Sequence, residues 1–122
     1  MVLQALDDVG LVDTIDQMPA ELSGGQRKRI ALARTLIIPP EIILYDEPTT
    51  GLDPITAREI SQLIREVQQK YTTSALIISH DMNCVRLTAD RVALLVDGRC
   101  HAEGTYQELQ QLDDPDTREF FV

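Results

Sequence analysis

Ile42-Ile43-Leu44-Tyr45-Asp46-Glu47 is a continuous apolar run closed by two acids, with Pro48 directly after it. A run without polar alternation reads as a β-strand buried on both faces, the pattern of parallel sheets. Upstream, residues 26–38 contain no Gly or Pro and place Ile30, Ala33, Leu36 and Ile37 on one apolar stripe, so a helix is expected there, stopped by Pro39-Pro40. Downstream, Asp53-Pro54 supplies a helix cap with proline in the first helical position. Ile60, Leu63, Ile64 and Val67 then recur at helical spacing to about Lys70. Ala75-Leu76-Ile77-Ile78-Ser79 is a second apolar run. Strand, helix and strand in that order make a right-handed crossover unit, and hence an α/β fold with a parallel sheet.

The rest of the chain extends this plan. Val2, Leu3, Leu6 and Val9 share one side of a short first helix that Gly10 ends, and residues 13–19 read as a loop. Asp81 can cap a further helix reaching about Ala89. Asp97-Gly98, between apolar stretches at 92–96 and 99–102, is a two-residue hairpin signal. Thr105-Tyr106-Gln107-Glu108 matches a capping box and opens a terminal helix through Leu109 and Leu112. Asp113-Asp114-Pro115-Asp116 interrupts that helix before Phe120 and Phe121.

Bulk properties exclude several partners. Eleven basic against twenty acidic residues give a net charge of −9, which repels nucleic acid and anionic lipid surfaces, so no nucleic-acid partner is expected. The two cysteines, Cys84 and Cys100, form no C-x-x-C pair and read as reduced, structural thiols. The apolar runs fall far short of the roughly eighteen residues a membrane span needs, and residues 1–15 carry acids rather than a basic start and apolar core.

The candidate chemistry lies where an open α/β sheet presents it, at the carboxyl ends of its strands. Asp46 and Glu47 close the first run and His80 closes the second. At a strand end the chain is turning, so neighbouring carboxylates can take different tasks: Asp46 holding a magnesium ion, Glu47 orienting or deprotonating an attacking water. An acid pair there also suits a helix cap or a solvated turn. Ser23-Gly24-Gly25-Gln26, before the helix at 26–38, suits an anion cup, because glycines let backbone amides approach a phosphate at a helix N-terminus. The competing reading is a plain serine cap with a glycine turn. His80 reads as a phosphate sensor or as a capping residue, His101 as structural, and Arg27-Lys28-Arg29 as a solvated helix face. A phosphate loop G-x-x-x-x-G-K-S/T is not in the sequence: neither Lys28 nor Lys70 has the required glycines or a following Ser or Thr.

These residues resemble the motifs of ATP-binding cassette (ABC) ATPases. Leu22-Ser23-Gly24-Gly25-Gln26 resembles the signature motif, and Ile42 to Glu47 the Walker B strand. Thr50-Gly51-Leu52-Asp53 resembles the D-loop and Ser79-His80-Asp81 the switch-histidine loop. The resemblance implies a partial P-loop NTPase fold. Residues 1–38 would be the end of the helical subdomain with the signature, and 39–122 the Walker B, D-loop, switch-histidine and carboxyl-terminal part of the core subdomain. The Walker A half is absent, and the strand that carries it in the family lies between the strand ending at Ser79 and the hairpin, so a gap or exposed edge is expected there.

The resemblance further implies ATP and Mg2+ as cofactors in the complete domain, with Glu47 and His80 catalytic and Asp46 at the metal. Ser23, Gly24, Gly25, Gln26 and Asp53 would face the nucleotide of a second ATPase subunit in a head-to-tail dimer. A transmembrane permease would be the other partner, and the location cytoplasmic, peripheral on the inner face of the inner membrane. The wording from Leu22 to Arg29 and from Tyr45 to Thr56, with the Asp-Pro-Asp tail ending in aromatics, resembles the ATPases of Mla-type phospholipid transporters, which work with MCE-type lipid-binding proteins. The alternatives are an importer ATPase for another small solute and a catalytically silent module that lends its signature face to a partner. By itself the chain is expected to be inactive.

Overall fold

A computed structural model describes residues 1–121. Helix α1 (Val2–Asp8) ends through Gly10 at φ +73°, and its carboxyl end is followed by two single 3-10 turns, Val12–Thr14 and Pro19–Glu21, in the expected loop. Helix α2 (Gly24–Leu36) begins two residues earlier than the sequence suggests, because Ser23 and Gln26 close a reciprocal capping box that draws both glycines into the first turn. It stops at Leu36 rather than Ile38, since a residue before proline avoids the helical region.

Strand β1 (Ile42–Asp46) leads to α3 (Pro54–Tyr71), capped by Asp53, and then to β2 (Ser74–Ile78). The strands pair in parallel with Ile42 opposite Ser74 and Asp46 opposite Ile78, as the strand, helix and strand order requires. Helix α4 (Met82–Thr88), capped by Asp81, leads to the antiparallel hairpin β3 (Val92–Val96) and β4 (Arg99–Gly104), bulged at Leu94/Leu95. Asp97 and Gly98 both have positive φ, +51° and +76°, the turn that matches strand twist. Helix α5 (Tyr106–Gln110) opens on the Thr105 capping box.

Two expectations need correction. The tail from Asp113 does interrupt the terminal helix, but that helix already ends at Gln110 rather than reaching Leu112, and the tail also opens a further helix, α6 (Pro115–Phe120), capped by Asp114 through Thr117. Nor is β1 buried on both faces: Ile43 is 5% exposed, but Ile42 and Leu44 are 61% and 73% exposed. The helices pack against one face only. Leu76 and Ile78 lie on the open face beside them, so this side of the β1–β2 sheet is an uncovered apolar surface among the described residues.

The core sits between α1, α2, α3 and the covered face of β1, with Val9, Leu36, Ile43, Leu63 and Val67 at its centre. A polar clamp ties the ends of α1 and α3: the Asp8 carboxylate accepts hydrogen bonds from Gln4, Lys70 and Tyr71. Burial alone would raise the Asp8 pKa, yet those donors outweigh it and hold the carboxyl below its ordinary value. The sheets do not merge. β1 pairs with β2 and β3 with β4, with no ladder between β2 and β3, as expected from the place of the absent strand.

Candidate functional site

The carboxyl end of β1 delivers two acids in opposite directions. Asp46 continues the Ile42 and Leu44 side and stays exposed at the rim of the open face. Glu47 turns away through φ +48°, a region unfavourable for a side chain with a Cβ. Its backbone is held from several directions. Glu47 N donates to Ile78 O at 2.8 Å, while Glu47 O accepts from Thr50 N at 3.3 Å and from Lys28 Nζ at 3.4 Å. A strained residue secured in this way marks a position whose side chain must point in one direction.

That direction is toward the end of β2. His80 Nδ1 lies 2.8 Å from Glu47 Oε1, and Thr50 Oγ1 donates to Glu47 Oε2 at 3.5 Å. The bond to His80 holds the Glu47 carboxyl below its usual range, and the same carboxylate raises the pKa of His80. The His80 side chain is 78% exposed. A carboxylate at a strand end, joined to an exposed imidazole and flanked by a free acid, can orient or deprotonate a water and sense a phosphate beside it.

Ser23, Gly24, Gly25 and Gln26 lie together at the start of α2, packed on the turn that precedes α3. Ser23 Oγ accepts from Gln26 N at 3.1 Å and Gln26 Oε1 accepts from Ser23 N at 2.9 Å, so both side chains serve the cap. A Cβ at Gly25 would sit 2.6 Å from Thr56 Cγ2, and one at Gly24 would sit 3.4 Å from Leu52 Cδ2. Close packing against the loop and start of α3 is therefore sufficient reason for glycine at 25. Asp53 caps α3, accepting from Thr56 N at 3.1 Å and Thr56 Oγ1 at 2.6 Å; these bonds lower its pKa.

The basic residues of α2 are not simply solvated. Arg29 donates to Val9 O at 2.8 Å, closing the carboxyl end of α1, and Lys28 reaches Glu47 as described. A cleft of ≈ 300 Å³ between α2, β1 and α3 is lined by Lys28 at the α2 side and Asp46 at the strand end. His101 has surroundings after all: its Nε2 bonds Asp114 Oδ2. Sequence reasoning missed Thr49, whose hydroxyl donates to Asp81 Oδ2 at 2.9 Å.

The chain is similar to known proteins over most of its length. Residues 1–50 match the ABC transporter family. A nucleotide-free ATP-binding cassette from an ABC transporter superposes with a TM-score of 0.87 at 30% identity, over 99% of this chain and 48% of that one. Over the part it spans, the chain has the α/β fold of an ABC ATPase. The structure of cbiO1 from Clostridium perfringens, part of the ABC transporter complex cbiONQ, gives a TM-score of 0.84 at 36% identity over 88% of this chain and 43% of that one.

Among curated relatives, a probable amino-acid ABC transporter ATP-binding protein, y4tH of Sinorhizobium fredii, is 41% identical over 96% of this chain and 46% of its own length. The methionine import ATP-binding protein MetN of Streptomyces avermitilis is 44% identical over 88% of this chain and 31% of its own length. The aliphatic sulfonates import ATP-binding protein SsuB of Pseudomonas fluorescens is 48% identical over 79% and 36% respectively. The chain thus spans a third to a half of the relatives it matches. No helix among the described residues is long and apolar enough to cross a membrane.

Proposed function

We propose that this chain belongs to the ATP-hydrolysing subunit of an ABC importer for a small polar solute. The observation that carries the reading is the Glu47–His80 contact of 2.8 Å at the ends of two paired parallel strands, with Asp46 exposed beside it. The importer is favoured over the phospholipid transporter because the relatives at 41–48% identity carry names of methionine, amino-acid and sulfonate import. Nothing in those names supports an MCE-type partner.

The residues present fit magnesium and ATP in part. Asp46 offers the hard, exposed oxygen that magnesium takes, while the phosphate-cradling lysine loop is not in this sequence. Bound Mg-ATP supplies the terminal phosphoryl group and the cation that neutralises its charge. Glu47, ionised at neutral pH with its carboxyl held below the usual range, orients the attacking water and accepts its proton at a carboxylate oxygen. His80, hydrogen-bonded to Glu47 through Nδ1, fixes that carboxylate and leaves its other ring nitrogen for a phosphate oxygen.

The partners of this reading are a second ATPase subunit, paired head to tail, and a permease that binds the subunit peripherally on the cytoplasmic side of the membrane. Ser23 to Gln26 and Asp53 then serve the nucleotide of the opposite subunit, consistent with their clustering on one ledge at the start of α2 and α3. In the complete domain Glu47→Gln is expected to abolish steady-state ATP turnover while ATP-dependent pairing persists. Turnover near the wild-type rate would remove Glu47 from the proton-accepting role.

A further inference from the structure

An imidazole that is 78% exposed has no packing to hold it over its partner, so its position must come from the backbone that carries it. Two segments bring His80 and Glu47 together, and beyond the backbone bond from Glu47 N to Ile78 O a part-buried side-chain hydrogen bond joins them. Thr49, two residues beyond Glu47, is 6% exposed, and its Oγ1 donates to Asp81 Oδ2 at 2.9 Å. Asp81 follows His80 directly. Its other oxygen, Oδ1, accepts from Asn83 N at 3.0 Å and Cys84 N at 3.3 Å, and its own N–H donates to Ser79 Oγ at 3.0 Å. Capping α4 uses only Oδ1; the second oxygen is committed to the neighbouring loop.

We infer that Thr49 and Asp81 are positioning residues that hold His80 against Glu47. The path from Glu47 through Pro48 and Thr49 to Asp81 and His80 closes on itself, and Pro48 stiffens it by fixing one backbone torsion. A rigid closed loop of this size allows the imidazole and carboxylate little relative movement. The groups that face the pair are the Asp81 carboxylate, the Thr50 hydroxyl and the Lys28 ammonium at the Glu47 carbonyl. Of these, the Asp81 carboxylate is the one bonded to both segments. The inference deepens the ATPase reading and takes its catalytic significance from it.

Nuclear magnetic resonance of the whole chain tests it without nucleotide. The His80 Nδ1 chemical shift and the contact between the His80 ring and the Glu47 methylenes are followed at one fixed pH, with Glu47→Ala as the reference for an unpartnered ring. Thr49→Val, similar in volume but lacking the donor, is expected to move the His80 signal most of the way to the Glu47→Ala position and to weaken the contact. Thr49→Ser keeps the hydroxyl and should restore both. Asp81→Ser, which still caps α4 but is too short to reach Thr49, should act like Thr49→Val.

Wild-type signals in a folded Thr49→Val or Asp81→Ser chain would overturn the inference. Unfolding of both would equally overturn it, by showing that the bond holds the fold rather than the ring. Because no nucleotide enters the measurement, a negative result leaves the ATPase reading standing, and an inactive parent protein leaves the ring's placement intact.

Discussion

Gly25 shows how one position can satisfy two readings of a sequence. Glycine before a helix suits close approach of a phosphate, yet here the space a methyl group would need is already taken by Thr56 Cγ2, 2.6 Å away. Gly25→Ala is therefore expected to destabilise the chain by about 1–3 kcal/mol in urea unfolding, as overpacking does. Adding Thr56→Ser removes the offending methyl, keeps the hydroxyl that bonds Asp53, and should recover part of the loss. Unchanged stability in Gly25→Ala would return that glycine to a purely ligand-facing role. At this scale the chemical groups were legible, because Asp46, Glu47 and His80 each follow an apolar run that announces a strand end. The Thr49–Asp81 bond was not, since two polar side chains 32 residues apart leave no periodic or local trace.

Among the elements, α6 escaped the sequence although its Asp114-Pro115 entry repeats the Asp53-Pro54 entry of α3. The difference is the absence of an apolar stripe. Its buried residue is Thr117, fully enclosed and satisfied by bonding Asp114, so burial here leaves no hydrophobic periodicity. Asp114→Ala should lower the urea midpoint of unfolding, as loss of a cap does.

The same carboxylate latches α6 to β4 through His101, which gives this end of the molecule a pH signature. Bonds from Thr117 and His101 lower the Asp114 pKa to about 2, and Asp114 raises that of His101 above its ordinary 6.5. A lowered carboxyl contributes stability above its unfolded value and loses it as pH falls through about 2. A raised imidazole contributes fully below 6.5 and loses it as pH climbs through its folded pKa. The latch is thus whole between about pH 4 and 6.5. Amide hydrogen exchange in α5 and α6, corrected for its intrinsic pH dependence, should be slowest in that window. His101→Ala should remove the loss of protection on the alkaline side, and an unchanged profile would exclude the latch.

For the molecule as a whole, parallel pairing and helix order were readable from apolar runs and caps, whereas the one-sided burial of β1 was not. Continuous apolar residues report what the strand is built to meet, and among the described residues only one face meets it. Ile42, Leu44, Leu76 and Ile78 remain open, and neither β2 nor β3 pairs with the other. Uncovered apolar faces and unpaired strands promote association. Sedimentation should show self-association at micromolar concentrations, reduced by Leu44→Lys with Leu76→Glu; a monomer with cooperative unfolding would argue against it.

Few donors are available to hold ATP on the chain alone. About three charge-assisted hydrogen bonds at roughly 1.5–3 kcal/mol each yield about 5–9 kcal/mol, against an association cost of roughly 4–15 kcal/mol. Calorimetry on the chain alone should find no micromolar ATP binding.

The left-handed twist of the backbone at Glu47 sets robustness against purpose. Glycine would relax that residue, so a library selected only for thermal endurance is expected to enrich Glu47→Gly and, in doing so, to discard the one carboxylate that His80 holds in place.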